Sequence, residues 1–274
     1  MSFQNRVIAI TGAASGIGQA LAERLGTLGA KLALCDIDTA PFSVWEHHPD
    51  VFTQRVDVGD AAAVDDWYQN ICERFGGCDI LINNAGTSVL ASFEQHELKD
   101  WERVLRVNLW GVVHGSRTFL PTLKERGGQI VNISSLFGII GIPGQAAYVT
   151  SKYAVRGLSE CLWEELQDEG VSVTVVHPGG VATSLVMKSA SVSPTAQKHI
   201  ATFFKNHTMP PSKAAEIIIR GIQSRKPRLV ITREALLLDR IKRIFPVWGN
   251  RWAYQQIYKQ MRMKKIEEHI KNRT

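Results

Sequence analysis

The chain has 274 residues, of which 45% are hydrophobic and 21% are charged, and its formal net charge at pH 7 is +6. With a mean hydropathy of −0.07, these values exclude a disordered or fibrous protein and indicate a globular one with a sizeable core. No apolar run reaches about 18 residues, which excludes a membrane-spanning helix, and the N-terminus lacks a secretory signal core, so we expect a cytoplasmic protein.

Short β-branched segments alternate with longer amphipathic ones along most of the chain. The strand-like segments show little apolar/polar alternation, which is typical of a parallel sheet buried on both faces. This order predicts an α/β fold, a Rossmann-type doubly wound parallel sheet. The predicted strands are residues 6–11, 31–35, 52–56, 79–82, 128–134, 171–177 and 228–231, and the predicted helices are residues 17–28, 61–75, 99–124, 154–169 and about 211–224.

A glycine-rich turn joins the first predicted strand to the first predicted helix, with the sequence Thr11-Gly12-Ala13-Ala14-Ser15-Gly16-Ile17-Gly18. Three glycines let the backbone approach a pyrophosphate, and the helix start offers free N–H groups and the positive end of the dipole. A tight strand–helix turn without a ligand would carry similar glycines. The position between a buried strand and a helix favours dinucleotide binding.

An acidic residue, Asp36, follows the second predicted strand, 18 residues after Gly18. A carboxylate there can accept both hydroxyls of an adenosine ribose and would repel a 2′-phosphate. The glycine turn holds no Lys or Arg, and Ile37 follows Asp36, so the sequence favours NAD over NADP. The alternative is that Asp36 caps the next segment.

These features, with further motifs in the same order, resemble the short-chain dehydrogenase/reductase superfamily over about residues 5–232. The glycine spacing is that family's form. The other matching motifs are Asp57-Val58, Asn83-Asn84-Ala85-Gly86, Asn108, Ser135, Tyr148-x-x-x-Lys152, and Pro178-Gly179 with Thr183. The resemblance implies a single domain of about seven parallel strands and a homodimer or homotetramer.

The resemblance also implies a set of cofactor-binding residues. Asp57 and Val58 would contact the adenine, and Pro178, Gly179 and Thr183 would hold the nicotinamide carboxamide. The complete set is Gly12, Ser15, Gly16, Ile17, Gly18, Asp36, Asp57, Val58, Asn84, Ala85, Gly86, Tyr148, Lys152, Pro178, Gly179, Val181 and Thr183.

Four residues are candidates for the chemistry. Tyr148 and Lys152 lie four apart, so on a helix they share a face, and the ammonium is expected to lower the pKa of the phenol so that Tyr148 exchanges the substrate proton. Ser135 would stabilise charge on the substrate oxygen; Ser134 competes, but Ser135 lies 13 residues before Tyr148, as in the family. The resemblance assigns Asn108 to a water relay to Lys152. Taken singly, each could be a packing, capping or solvated residue; their combination favours catalysis.

Three segments are expected to contact the substrate: residues 87–90, residues 136–145 and a predicted lid over residues 184–210. The long lid segment is typical of a binding loop, although a surface excursion without function is the alternative. Apolar residues in these segments predict a lipophilic alcohol or ketone. They are Leu136, Phe137, Ile139, Ile140, Ile142, Leu185, Val186, Met187, Ile200, Phe203 and Phe204.

The basic charge lies in the last fifth of the chain. Residues 220–274 contain 15 Lys and Arg against 4 Asp and Glu, whereas residues 1–219 contain 17 against 22. The predicted extension 233–274 interleaves apolar, aromatic and basic residues, which suits a helix on an anionic membrane. The same pattern suits a helix docked on the core or on a neighbouring subunit. No binding module accompanies the basic residues, so we expect no nucleic-acid partner.

Together these features predict one catalytic domain over residues 1–232 and an NAD(H)-dependent oxidoreductase that interconverts a hydroxyl and a carbonyl. The alternatives are an NADP(H)-dependent carbonyl reductase and a dinucleotide-binding regulatory or peripheral membrane protein. His177 is expected to be structural or to border the nicotinamide. Since the cysteines form no C-x-x-C pair and have no histidine at ligand spacing, we expect free thiols and no metal site.

Overall fold

The computed structural model describes residues 2–183, 190–191 and 209–261. Its strands are β1 (Val7–Thr11), β2 (Lys31–Asp36), β3 (Val51–Arg55), β4 (Ile80–Asn83), β5 (Val89–Leu90), β6 (Gln129–Ile133), β7 (Ser172–Pro178), β8 (Ala190–Ser191) and β9 (Arg228–Ile231). Its α-helices are α1 (Gly16–Thr27), α2 (Ala61–Phe75), α3 (Leu98–Leu105), α4 (Gly111–Glu125), α5 (Ala146–Leu166), α6 (Pro211–Gln223), α7 (Arg233–Ile244) and α8 (Pro246–Met261). Segments Ala40–Trp45 and Leu136–Gly138 are 3-10 helical, and Arg106–Trp110 is a π-helical turn.

Within these described ranges, seven strands form a parallel sheet in the order β3-β2-β1-β4-β6-β7-β9. Strand β1 pairs with β2 on one side and with β4 on the other, so the strand order reverses between β1 and β4. Such a switch point leaves a crevice at the carboxyl ends of the strands, where ligands bind in doubly wound sheets. The predicted doubly wound sheet with a helical C-terminal extension is confirmed.

Helices cover both faces of the sheet because successive residues of its strands point to opposite sides. On one face, Ile8 of β1 packs in a cluster with Leu21 of α1 and Ile218 of α6. On the other face, Val7 of β1 belongs to a cluster with Trp67 of α2. The two clusters fix the sheet between its helices, and therefore fix the crevice at its edge.

Two predicted helices differ from those observed. The helix predicted at 154–169 begins at Ala146, because Ser151 and Lys152 are buried at helical spacing with Ala147 and interrupt the apolar pattern that marks a helix face. The helix predicted at 99–124 is divided into α3, a π-helical turn and α4. A π turn inside a helix is rare and frequently marks a functional site; here it contains Asn108.

The C-terminal helices α7 and α8 pack on the segment that follows β6. Ala235 and Leu238 of α7 and Ala253 of α8 form a buried cluster with Ile139 and Ile140. The described part of the extension is therefore docked on the domain, although the boundary at residue 232 stays a prediction. No helix in the described ranges is both long and apolar enough to cross a membrane.

Candidate active site

The glycine turn and the turn after β4 meet at the switch point. The Asn84 side-chain amide donates hydrogen bonds to the carbonyls of Thr11 and Gly12, both at 2.9 Å. The Thr11 hydroxyl accepts the N–H groups of Asn84 and Ala85 at 3.0 Å. Gly12 has φ +63°, and a Cβ on it would lie 2.7 Å from the Cα of Ala85. The two turns therefore approach each other more closely than side chains would allow.

A cavity of about 540 Å³ opens at this edge of the sheet. It is lined by sixteen of the seventeen residues predicted for the cofactor; the exception is Gly18. A Cβ on Gly18 would lie 2.3 Å from the carbonyl oxygen of Gly12, so this glycine lets α1 pack against the turn instead of facing the cavity. The first turn of α1 contains no acidic residue, which leaves the positive end of its dipole directed at the cavity.

The Asp36 carboxylate is held at the cavity edge by backbone donors. One oxygen accepts the Ala14 N–H at 3.0 Å, and the other accepts the Asp38 N–H at 3.2 Å. The second of these bonds is the local turn contact expected of the alternative, in which Asp36 organises the next segment. Because Asp36 also lines the cavity, the two roles are compatible.

Asp57 faces the same cavity and is paired with Arg106 at 2.8 Å. Burial raises the pKa of the Asp57 carboxyl, but the Arg106 hydrogen bond and charge and the Gly59 N–H outweigh it and hold that pKa below its ordinary value. Arg103 also lines the cavity and donates to the Thr87 hydroxyl at 2.8 Å. Sequence reasoning missed both arginines, since nothing local pairs Arg106 with a carboxylate 49 residues away.

Tyr148 lies in the first turn of α5 with its side chain buried against the cavity. Burial raises the pKa of the phenol above its ordinary value, and a hydrogen bond with the Ser135 side chain offsets part of that effect. The net direction is therefore opposite to the expected lowering. The Lys152 ammonium lies over the Tyr148 ring, 5.7 Å from its centroid, and desolvation of the phenolate is the largest cause of the raised pKa.

The ammonium group of Lys152 donates to the carbonyl oxygen of Ile133 at 2.8 Å. Burial lowers the pKa of Lys152 to about 8. The side chain is thus pinned to the end of β6, one helical turn from Tyr148 and beside the cavity.

The adjacent serines have different surroundings. The Ser134 hydroxyl donates to the carbonyl oxygen of Lys152 at 2.8 Å and so links β6 to α5. The Ser135 hydroxyl accepts the Phe137 N–H at 3.1 Å and also bonds to the Tyr148 side chain. This geometry favours Ser135 as the substrate-facing residue. His177 is fully buried, and its Nδ1 lies 3.0 Å from the carbonyl oxygen of Ser135, which makes it a structural partner of that serine.

Asn108 is buried in the π turn and does not line the cavity. Its side-chain oxygen accepts the Thr87 N–H at 2.7 Å, and its amide donates to the Thr87 carbonyl at 2.9 Å and to the Ser151 hydroxyl at 3.0 Å. Asn108 therefore clamps the turn after β4 to α5. A water relay from Asn108 to Lys152 stays a prediction.

The predicted apolar substrate segment is divided between two surroundings. Leu136 and Phe137 line the cavity, and the Phe137 ring meets the Tyr148 ring edge-on at 6.4 Å. Ile139 and Ile140 were expected there, but they are buried against α7 and α8 instead. Ile142 is half-buried and does not line the cavity. Leu136 and Phe137 also pack in the cluster that contains Ile139 and Ile140, so the segment joins the cavity wall to α7 and α8.

The ends of the predicted lid are held by strand pairing. The Met209 N–H donates to the Gly180 carbonyl at 2.9 Å, and the Ala182 N–H donates to the Met209 carbonyl at 3.0 Å. Strand β8 pairs with β5 next to the cavity. The apolar lid residues Leu185, Val186, Met187, Ile200, Phe203 and Phe204 lie outside the described residues.

The described residues contain no group of three or more His, Cys, Asp or Glu side chains able to hold a metal ion. The four cysteines are free thiols, and Cys35 and Cys78 are fully buried. Burial raises the pKa of Cys78 to about 12, which keeps that thiol protonated. Cys72 is half-buried and Cys161 is exposed.

Comparison with known proteins points to one family. A family model described as short chain dehydrogenase matches residues 6–193. The oxidoreductase SadH of Mycobacterium tuberculosis is 39% identical over 253 residues, which cover 89% of this chain and 92% of SadH. D-beta-hydroxybutyrate dehydrogenase of Rhizobium meliloti is 35% identical over 193 residues, 65% of this chain and 72% of that protein. A short chain dehydrogenase/reductase from Burkholderia phymatum in complex with NAD superposes with a TM-score of 0.83 and 27% identity, covering 89% of this chain and 95% of that one.

Proposed function

The chain belongs to the short chain dehydrogenase family, and from this premise we propose that it is an NAD(H)-dependent oxidoreductase that interconverts a hydroxyl and a carbonyl, with Tyr148 as the acid–base group. One observation carries the proposal. Tyr148, Ser135 and Lys152 meet at the wall of a cavity that is also lined by the glycine turn and Asp36. A proton-transfer group and a dinucleotide cradle therefore share one space.

The cavity fits a dinucleotide in shape and in charge. The Gly12 position has no room for a side chain, and the adjacent start of α1 offers a positive dipole to a pyrophosphate. The residues that would hold NAD are those predicted from the sequence that line the cavity, from Gly12 and Asp36 to Val181 and Thr183. When bound, the nicotinamide supplies a site that takes or gives a hydride.

Tyr148 would exchange a proton with the substrate oxygen. Because burial raises the pKa of Tyr148, the phenol keeps its proton at neutral pH and is ready to protonate a carbonyl oxygen during reduction. The Ser135 hydroxyl, bonded to the same phenol, would donate to that oxygen as it becomes negative. In the opposite direction Tyr148 would have to lose its proton first, so we expect alcohol oxidation to be favoured at a higher pH than carbonyl reduction.

We propose a lipophilic alcohol or ketone as the substrate. Leu136 and Phe137 support this choice, because they line the cavity next to Tyr148. The arginines that line the cavity do not favour an anionic substrate, since Arg106 is paired with Asp57 at 2.8 Å and Arg103 with Asp100 at 3.5 Å. The apolar support is narrower than the sequence predicted, as Ile139 and Ile140 face α7 and α8.

NADP(H) is the second candidate cofactor, and one observation favours it. Arg55 of β3 lies opposite Asp36 in the register of β2 and β3, and could approach a 2′-phosphate. The Asp36 carboxylate favours NAD, because the 2′-phosphate of NADP would place a second negative charge next to this carboxylate. The cytoplasmic location and a homodimer or homotetramer also remain proposals, and they rest on the sequence and on the family.

Turnover of a ketone panel with NADH and with NADPH tests this proposal, using wild type, Tyr148→Phe and the control Tyr68→Phe. Tyr68 is a half-buried helical tyrosine packed on Phe119, away from the cavity. We expect NADH-dependent reduction of long-chain or alicyclic ketones, which Tyr148→Phe lowers by about 10²-fold or more while calorimetric NADH binding persists. Turnover that survives in Tyr148→Phe would disprove its role, and NADH binding without any turnover would favour the regulatory alternative.

A further inference from the structure

Helices α7 and α8 carry an apolar patch that the proposed reaction does not use. The described residues Leu237, Ile244, Phe245, Val247 and Trp248 are between 52% and 86% exposed, and Leu236 is 42% exposed. Leu237 and Ile244 lie seven residues apart and so share a face of α7. The Phe245 and Trp248 rings meet edge-on, with their centroids 5.7 Å apart. These two rings extend the apolar face from the end of α7 into α8. Contiguous exposed apolar side chains of this size mark an interaction site.

The helices that carry this patch are already packed on the domain. The opposite face of both helices is docked: Ala235, Leu238 and Ala253 are buried in the cluster with Ile139 and Ile140. Polar contacts hold the helices in the same position. The Arg228 guanidinium makes two hydrogen bonds to the Asp239 carboxylate, at 2.9 and 2.7 Å. The Gly141 N–H donates to the Asn250 side chain at 3.0 Å, and Lys242 bonds to the Ile139 carbonyl.

Positive charge surrounds the patch. Arg233 and Arg240 of α7 and Arg251 of α8 are exposed, and none of them forms an ion pair with any residue in the described ranges. Over residues 233–261 six Lys and Arg stand against two acidic residues, whereas residues 1–219 have an acidic excess. Trp, Phe and aliphatic side chains next to unpaired arginines are the composition of surfaces that lie on anionic bilayers.

The size of the patch argues against a second copy of the chain as its occupant. A stable protein–protein interface uses about 20–30 residues on each side, whereas within the described side chains this patch has six apolar residues and a few arginines. A bilayer requires no matching shape and takes up the apolar side chains while its phosphates meet the guanidinium groups. We propose that this patch docks the protein on the surface of an anionic lipid bilayer, with the helix axes along the membrane plane.

Docking here would bring the bilayer to helices that pack on the cavity wall, since Leu136 and Phe137 line the cavity and share a cluster with Ala235, Leu238 and Ala253. The segment that α7 and α8 cover, Ile139 to Gly141, directly follows Leu136 and Phe137 of the cavity wall. A lipophilic substrate could then reach the cavity from the bilayer. This consequence rests on the proposed function, whereas the docking itself does not, and the test below measures binding without turnover.

The test is co-sedimentation of the full chain with vesicles, either of phosphatidylcholine alone or of phosphatidylcholine and phosphatidylglycerol in equal parts, at low and high ionic strength. We expect binding to the anionic vesicles that falls with salt. Val247→Ser with Trp248→Ser should weaken this binding about tenfold or more. Arg240→Gln should weaken it about fivefold. All altered residues are exposed, and circular dichroism checks that each variant is folded.

A control variant removes two exposed apolar side chains elsewhere on the surface. Val44 is 76% exposed and Leu98 is 80% exposed, so Val44→Ser with Leu98→Ser removes comparable apolar surface away from the patch. This control should bind anionic vesicles like the wild type. Wild-type chain that stays in the supernatant with anionic vesicles would overturn the proposal, as would an equal loss in the control. It would also be overturned if Val247→Ser with Trp248→Ser dissociated an oligomer in sedimentation velocity and left vesicle binding unchanged.

Discussion

Two regions at the carboxyl ends of the strands, the β1/β4 switch point and the β7/β9 end, are built in different ways. At the β1/β4 switch point, Thr11, Gly12 and Asn84 are joined by hydrogen bonds of 2.9 to 3.0 Å. Their positions depend on the close approach of two turns. At the β7/β9 end, the Nε2 of His177 is buried without a hydrogen-bond partner among the described residues, and Thr232 has a positive φ of 84°. In the first region these three residues satisfy one another's polar groups, while the second holds an unpaired ring nitrogen and a strained backbone angle.

The largest effect should come from acidifying the β7/β9 end. Burial lowers the pKa of His177 to about 4 from its ordinary 6.5, and the charges of Arg228 and Arg156 act in the same direction, while the Ser135 carbonyl and Asp239 oppose them. The neutral form is the native one, so the His177 contribution to stability is complete above pH 6.5 and is lost as the pH falls towards 4. That loss is about 3 kcal/mol. Urea unfolding across this pH range measures it.

His177→Asn keeps a donor for the Ser135 carbonyl but has no titrating ring. The variant should lack this part of the acid destabilisation, while the control His48→Asn, at an exposed histidine, should behave like the wild type. If wild type and His177→Asn lose stability in parallel between pH 6.5 and pH 4, the buried neutral histidine is not the cause.

A somewhat smaller effect is expected from the ion pair that anchors α7. Asp239→Ala leaves the Arg228 guanidinium without its bidentate partner at a site where the Arg228 side chain is 22% exposed and that of Asp239 is 9% exposed. Removing one member of a mostly buried pair should cost about 2 to 3 kcal/mol. Thermal and denaturant unfolding measure the loss, with Asp168→Ala, an exposed aspartate, as the control. Equal stability of the two variants would show that α7 docks through its apolar contacts alone.

At the switch point a glycine substitution should act by overpacking. Gly18→Ala places a Cβ 2.3 Å from the Gly12 carbonyl oxygen and 2.5 Å from the Asn84 amide, which should cost about 2 kcal/mol and weaken NADH binding. Gly157→Ala is the matched control, because Gly157 is also helical and has no atom within 4 Å of the added Cβ. That variant should gain up to about 1 kcal/mol from helix propensity. Denaturant unfolding measures the stability of both variants, and calorimetry measures their NADH affinity. Equal values in Gly18→Ala and Gly157→Ala would mean that the glycine turn is not close-packed.

The smallest effect, and one of opposite sign, is expected at the start of α7. Thr232 caps this helix with a φ of 84° and a ψ of 144°, a region that favours glycine. Thr232→Gly should therefore stabilise the protein by about 1 kcal/mol, less a few tenths for the weaker cap. Thr39→Gly is the comparison, since Thr39 begins the 3-10 segment at an ordinary φ of −95°. A net loss of stability in Thr232→Gly would show that its cap outweighs the backbone strain.

Part of the candidate site could be predicted from residues that are close together in the sequence. The glycine spacing and Asp36 at the end of β2 depend on one turn and one strand end, so their placement could be predicted without tertiary contacts. The Tyr148–Lys152 pair is predicted from its spacing, although the apolar pattern places the helix start after it. The Ser134/Ser135 alternative was harder. Both residues directly follow β6, and they differ in the hydrogen bonds that each hydroxyl makes.

The sequence by itself determined the parallel doubly wound sheet, the glycine turn and the spacing of the tyrosine and lysine, because each depends on residues a few positions apart. Tertiary structure alone decided that Arg106 pairs with Asp57, that His177 holds Ser135, and that Ile139 and Ile140 face α7 instead of the cavity. These contacts join segments about 40 to 110 residues apart, as in the Gly141–Asn250 bond. No local pattern encodes such pairs; they depend on which surfaces the folded sheet brings together and on the desolvation that follows.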